Sequence, residues 1–456
     1  MTSFDSPTAW ARALRLVTHP VRAVTLAFVA AVALGTLLLM LPIASEDRQW
    51  THAVDAMFTA TSAVCVTGLV VVDTSGHWST FGEVVILALI QAGGLGLMTL
   101  ASLIVIVIGG RLGIRTSMLS EVEARGGNAG AAARSIVVGV IRTALVFEVA
   151  LAAILTARLA LGYGMSWGQA GYVGVFHGIS AFNNAGFSTF SDSLTGFATD
   201  PWIAIPICLT IVAGGLGFPV WWEIWQRRRT RARWTLHTKV TLWATAALFA
   251  FGAAAITAME WRDDRLLGDY SAAEKVLIGA FHSVQARTAG FNSVDLGEVQ
   301  TQTLLTIDGL MFVGGGSAGT AGGIKLTTFV ILILVAWAEL RGDTTVSVGH
   351  RRIPAELQRQ ALTVLLTSLL AVASGTWLLM TMTPFTLDEI LFEVVSAFGT
   401  VGLSTGITPD LPRAGEVILV VLMLLGRLGP ITLGAALALR STPRHYTYPE
   451  ERVLVG

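Results

Sequence analysis

Four short strings carry the residues best suited to chemistry in this chain. They are Thr61-Ser-Ala-Val-Cys-Val-Thr-Gly68-Leu, Ser180-Ala-Phe-Asn-Asn-Ala-Gly186-Phe, Ser283-Val-Gln-Ala-Arg-Thr-Ala-Gly290-Phe and Ser396-Ala-Phe-Gly-Thr-Val-Gly402-Leu. Each has a small polar residue, then a glycine, then Leu or Phe. Successive glycines lie 118, 104 and 112 residues apart, against 114 for a quarter of the 456-residue chain. A cation that sheds its water shell needs oxygen ligands, and a ring of backbone carbonyls supplies them. Turning those carbonyls inward asks for φ values that glycine accepts readily. Gly68, Gly186, Gly290 and Gly402 meet that need, one per string. Val66, Thr67, Asn184, Ala185, Thr288, Ala289, Thr400 and Val401 offer further carbonyls. For one string a tight turn explains the glycine equally well; four at even spacing favour the ring.

A second group concerns control. Residues 314–323 hold six glycines in Gly-Gly-Gly-Ser-Ala-Gly-Thr-Ala-Gly-Gly. Each costs a helix about 1 kcal/mol relative to alanine, so no helix is expected there. Irregular backbone at membrane depth is tolerated where it lines a wet cavity or is buried in protein. Gly314, Gly315, Gly316, Ser317, Ala318, Gly319, Thr320 and Lys325 are therefore candidate gate residues. Arg427 stands inside an apolar run, in Gly426-Arg-Leu-Gly-Pro430. A charge there costs ~2.5–3.5 kcal/mol on insertion scales, which makes it a functional candidate; a salt bridge or a cap on loop carbonyls is the plainer role. Arg287 is expected to brace the third string, with Glu148, Glu223 and Glu393 as candidate partners. Asp308 is a candidate cap for the break. His177 and His282 read as polar contacts rather than metal ligands, and Asn183 and Asn184 as hydrogen-bonders to the string backbone. The shorter runs Gly93-Gly-Leu-Gly-Leu97 and Gly214-Gly-Leu-Gly-Phe218 read as close helix packing.

These residues need elements to position them. The chain is 53% hydrophobic and 13% charged, with a mean hydropathy of +0.68. Soluble domains carry about 25% charged residues, so the deficit points to a lipid-facing surface. Apolar runs near the ~20 residues of a spanning helix fall at 23–44, 80–108, 136–161, 201–225, 238–259, 326–340 with an upstream half at 303–313, 359–383 and 415–439. Shorter helix-compatible stretches at 52–63, 169–182, 273–285 and 387–398 precede the four strings. They read as pore helices that enter and turn back. Two spans per unit keep all four units parallel, whereas inverted repeats need an odd number. The fold expected is all-α and integral to the membrane. It comprises four parallel helix–pore loop–helix repeats, eight spans in all, arranged pseudo-fourfold around one pore.

Of 30 Lys and Arg, 21 fall on one side of that topology and six on the other. The rule that basic loops stay inside puts both termini in the cytoplasm. The basic cluster Arg227, Arg228, Arg229, Arg231 and Arg233 reads first as part of this topology signal, and binding of anionic lipid or a partner is compatible with it. The resulting units are a cytoplasmic segment 1–22, repeats at 23–110, 111–226, 227–340 (with the loop 313–325) and 341–440, and a cytoplasmic tail 441–456. No cleavable signal peptide is read at the N-terminus. Zero formal net charge favours no nucleic-acid partner. Cys65 and Cys208 form no disulfide framework or metal motif. An intramembrane enzyme would need a nucleophile–base pair or a metal cluster, and none is read here.

The strings, together with Gly319-Thr-Ala-Gly-Gly-Ile-Lys325, make the chain resemble the Trk/Ktr/HKT superfamily of potassium transporters, most of all its bacterial KtrB branch. The resemblance runs from about residue 22 to the end. The extra N-terminal helix pair of TrkH-type members is not read here. The resemblance implies K+ as substrate at the twelve residues above and no covalently bound cofactor. It also implies a homodimer with one pore per protomer and a cytosolic KtrA-type nucleotide-binding ring, docking on basic loops and on 446–456. It assigns the 313–325 loop and Arg427 to the permeation barrier. Sodium-selective plant relatives carry serine where this chain has Gly68. Na+ dependence stays open, as does the alternative of a proton- or sodium-coupled secondary transporter.

Overall fold

A computed structural model of the chain describes residues 20–109, 129–228, 234–263, 266–268, 270–348 and 351–439. Most of the N-terminal segment, the basic residues Arg111, Arg115, Arg125, Arg229, Arg231 and Arg233, and the tail 441–456 lie outside the described residues.

A repeating order of long, short and long helices runs through the chain. The first group is α1 (Pro20–Leu39), α2 (Ala53–Cys65) and α3 (Thr80–Gly109). The second is α4 (Ala129–Gly162), α5 (Trp167–Asn183), α6 (Pro201–Leu216) and α7 (Phe218–Gln226). The third is α8 (Leu236–Met259), α9 (Ala272–Gln285), α10 (Thr301–Phe312) and α11 (Leu326–Arg341). A hairpin of β1 (Ser347–Val348) and β2 (Arg351–Arg352) leads to α12 (Ala355–Met382), α13 (Leu387–Gly399) and α14 (Arg413–Leu439).

Among the described residues, four helices are long and apolar enough to cross a membrane: Thr80–Ser102, Arg134–Gly162, Leu236–Met259 and Ala355–Met382. The pair α6 and α7 makes a fifth if taken as one span, yet it bends by 95°. The straight span expected at 201–225 is thus corrected: α6 ends at Leu216. The reading of Gly214–Gly217 as helix packing alone is corrected with it. Gly217 has φ +88°, which ends the helix at that point.

The short helices are set by local signals at both ends. Ser271 and Glu274 form a reciprocal capping box on α9, and Thr386 and Glu389 do so on α13. Such caps satisfy backbone N–H groups that the first turn leaves unpaired. The far ends of α2, α5 and α13 stop on a left-handed residue: Val66, Asn184 or Thr400.

Apolar side chains fill the core and also cover much of the outer surface, where Trp243 and Leu340 are 77% and 83% exposed. The interior holds Thr61, Ser62, Thr67, Ser180, Asn183, Glu393 and Arg427, each 2% exposed or less. Polar groups hidden at the centre of a bundle mark its working surface.

Candidate ion pathway

The four strings meet at the centre. Val66, Asn184, Thr288 and Thr400 have φ of 58°, 61°, 70° and 49°, and Gly68, Gly186, Gly290 and Gly402, two residues on, have 93°, 71°, 76° and 95°. A left-handed non-glycine residue costs about 1–2 kcal/mol, so four at matched positions signal an imposed geometry. A methyl group on Gly68 would land on the carbonyl oxygen of Ala185, 3.2 Å from Gly186 Cα. One on Gly186 would lie 2.7 Å from the Ala289 oxygen and 2.9 Å from Gly290 Cα. One on Gly290 would land on the Val401 oxygen, 3.1 Å from Gly402 Cα. One on Gly402 would land on the Thr67 oxygen, 3.1 Å from Gly68 Cα. The order closes on itself. Four glycines from distant parts of the chain form one ring, and each faces the carbonyl that precedes the next.

Side chains from the short helices hold the strings in place. The Ser62 hydroxyl donates to the Leu69 carbonyl (2.8 Å) and accepts from Gly68 N (3.0 Å). Ser180 donates to the Phe187 carbonyl (2.8 Å), and Ser396 accepts from Gly402 N (3.1 Å). In the third string Gln285 takes this place, accepting from Phe291 N at 3.1 Å. Ser283 bonds instead to the Phe249 carbonyl on α8. A further layer ties each short helix to the chain beyond its glycine. His177 meets the Ser188 hydroxyl at 3.1 Å and His282 the Ser293 hydroxyl at 3.0 Å. Glu393 accepts from Ser404, Thr405 N and Thr408. The polar contacts expected of His177 and His282 are these. The sequence reading missed that Glu393 belongs to the same layer, although the signal was present: His177 and Glu393 both stand nine residues before their glycine.

Residues after the glycines line an open mouth of ≈ 640 Å³ that includes Asp73, Asp192, Asp295 and Ser404. The residues before them face the 313–325 run, which is non-helical between α10 and α11. Its neck closes through Gly314 N to the Ile324 carbonyl (2.8 Å) and Leu326 N to the Gly315 carbonyl (3.0 Å). The Thr320 hydroxyl reaches the Asn184 side chain (3.0 Å), and a methyl on Gly322 would land on the Thr400 hydroxyl. The loop thus sits beneath the ring. The buried hydroxyls of Thr67, Thr288 and Thr400 have no protein partner among the described residues.

Three cations converge here. Arg427 Nη1 donates to the Thr320 carbonyl, and Lys325 Nζ to the Ala321 carbonyl. Arg287 Nη2 donates to the Gly314 carbonyl at 2.7 Å, and its guanidinium lies over Phe249. The expected partners of Arg287 are corrected. Glu148 accepts from Gln91 and Asn183, Glu223 from Thr235 and Thr238, and Glu393 from its own loop. Arg287 therefore supports the neck of the 313–325 run rather than pairing with a carboxylate. Asn183 likewise turns away from the strings, toward Gln91 on α3 (2.7 Å).

Apolar spanning helices, a polar centre and a central ring of backbone oxygens define a membrane protein of the cation-transport class. The chain belongs to the TrkH family of cation transport proteins, whose family model matches residues 9–442. It is 38% identical to the Ktr system potassium uptake protein B of Bacillus subtilis, covering 96% of this chain and 97% of that protein. Identity to the protein of the same name from Vibrio alginolyticus is 37%, over 95% and 94%. The potassium/sodium uptake protein NtpJ of Enterococcus hirae is 35% identical over 96% and 97%. The crystal structure of the potassium transporter TrkH from Vibrio parahaemolyticus has the same fold, with a TM-score of 0.71 at 20% identity, over 93% of this chain and 85% of that one.

Proposed function

We propose that this chain is the ion-conducting subunit of a channel-like potassium uptake system in the cell membrane, with both termini in the cytoplasm. The observation that carries the reading is the closed ring of Gly68, Gly186, Gly290 and Gly402, each against its neighbour's carbonyl. Carbonyls held in such a ring replace the hydration shell of a dehydrating cation. The ring with its flanking residues is the selectivity filter. Eight spans follow if α1, α3, α4, α6, α8, the α10–α11 pair, α12 and α14 each cross once. The 313–325 loop and Arg427 form the barrier beneath the filter: a buried guanidinium on the axis repels a cation, and the loop that it grips fills the path. The potassium-uptake names of the relatives support K+ as substrate, and the NtpJ name supports a role for Na+. Relatives named as protein B of a Ktr system support a regulatory partner; the family resemblance makes that partner a KtrA-type nucleotide-binding ring beneath a homodimer.

Growth of an uptake-deficient strain at low potassium, with wild type and Gly68→Ser compared, tests the reading. Wild type rescues growth; Gly68→Ser shifts the rubidium-to-sodium flux ratio toward sodium. No rescue by wild type would sink the reading, and an unchanged ratio would remove Gly68 from the filter.

A further inference from the structure

The loop beneath the ring rests on the bend between α6 and α7. A helix end leaves its last carbonyls without intrahelical partners. At the end of α6 these carbonyls are taken up by the loop: Gly214 O accepts from Thr320 N (3.2 Å) and Gly215 O from Gly316 N (2.9 Å). The fit is tight. A methyl on Gly319 would lie 2.6 Å from the Gly215 oxygen, and one on Gly217 would lie 2.6 Å from the Ser317 oxygen.

The sequence keeps those carbonyls free. In an uninterrupted helix Gly215 O would accept from the N–H four residues on, at position 219. That residue is proline and has no N–H. Pro219 is instead near the first position of α7, where proline is favoured. Gly217 supplies the left-handed turn, and Trp221 Nε1 staples α7 back onto the Ala213 carbonyl at 2.8 Å. Glu223, one turn along α7, accepts from Thr235 N (2.9 Å) and the Thr238 hydroxyl (2.5 Å) at the start of α8. The bend thus joins the loop to the helix that opens the third repeat.

We propose that Pro219 and Gly217 are positioning residues for the gate. They hold α6–α7 bent so that the α6 carbonyls seat the 313–325 loop across the pathway, and straightening the bend would release it. This rests on the gate reading above. It adds that the second repeat, and not the third alone, sets how firmly the loop is held.

The test is rubidium flux into proteoliposomes holding the full chain, with Pro219→Ala made in the wild-type and in the 314–320-deleted background. Pro219→Ala restores an N–H that competes for Gly215 O. It is expected to raise flux about tenfold in the wild-type background and to change nothing where the loop is absent, because only a seated loop can be released. Pro206→Ala, inside α6 and away from the bend, leaves flux unchanged. Trp221→Phe removes the staple and carries the same test, with a smaller rise, if Pro219→Ala gives no assembled protein. If deletion raises flux but neither bend variant does, the seat is refuted and the gate stands. Equal increases in both backgrounds refute the seat as well. If deletion leaves flux unchanged, the gate reading fails and the seat falls with it.

Discussion

The strings Gly93-Gly-Leu-Gly-Leu97 and Gly214-Gly-Leu-Gly-Phe218 begin alike and end in opposite geometries. In the first repeat the helix runs unbroken through Thr80–Gly109; in the second it stops at Leu216 and turns by 95°. Their leading glycines do the same work. A methyl on Gly93 would land on the Val64 carbonyl, and one on Gly214 on the Phe182 carbonyl, each four residues before the ring glycine. Gly426 meets the Phe398 carbonyl in the same way. The last glycines differ: a methyl on Gly96 meets open space, whereas Gly217 faces the 313–325 loop. Two positions later stand the fully buried Met98 and the half-buried Pro219. Glycine permits a bend without ordering one. A missing N–H and a partner that takes the freed carbonyls decide it.

The comparison can be broken outright by giving the first repeat the second repeat's proline. Met98→Pro puts a proline at a fully buried position inside a continuous helix and should cost ~3 kcal/mol or more. The expected result is loss of monodisperse protein in size-exclusion chromatography; a stable variant would show that α3 tolerates the bend. A matched glycine pair sharpens it. Gly217→Ala forces a side chain to φ +88°, at about 1–2 kcal/mol. Thermal unfolding should start earlier and rubidium leak should rise. Gly96→Ala should instead stabilise α3 by up to ~1 kcal/mol, as alanine does in a helix with room for it. Equal shifts for the two would erase the distinction. A third change asks how far the second repeat depends on its latch. Glu223→Gln weakens charge-assisted bonds to Thr235 and Thr238, worth roughly 1 kcal/mol, and should raise leak a few-fold with the rubidium-to-sodium ratio unchanged. The smallest effect belongs to a contact of the first repeat that moves nothing. Arg413 on α14 pairs with Asp55 on α2 and so closes the fourth repeat onto the first. Arg413 is 52% exposed, and such pairs contribute about 0.2–1 kcal/mol. Arg413→Ala should lower the melting temperature slightly, less so in high salt, and leave flux alone.

Legibility in the sequence followed how local the signal was. The short helices expected at 52–63, 169–182, 273–285 and 387–398 compare with Ala53–Cys65, Trp167–Asn183, Ala272–Gln285 and Leu387–Gly399. Caps such as Ser271 with Glu274 lie within one turn of the boundary they set. The break at 313–325 is likewise written in composition. Partners were not legible. Arg287 was expected to meet a carboxylate and meets the Gly314 carbonyl. Ser283 was aligned with the other string serines, while Gln285 does their work. Each assignment depends on which atoms a folded neighbour leaves unpaired.

By itself, then, the sequence determined that four similar strings recur at nearly even spacing, that apolar runs flank them, and that each presents a glycine at a corresponding point. Repetition and hydropathy are properties of the chain read along its length. The tertiary structure alone decided that those glycines close into one ring and that the carbonyls freed where Pro219 interrupts the second Gly-Gly-Leu-Gly helix find partners. The bend is stable because backbone groups more than 100 residues away along the chain, at Gly316 and Thr320, take the carbonyls that the helix gives up.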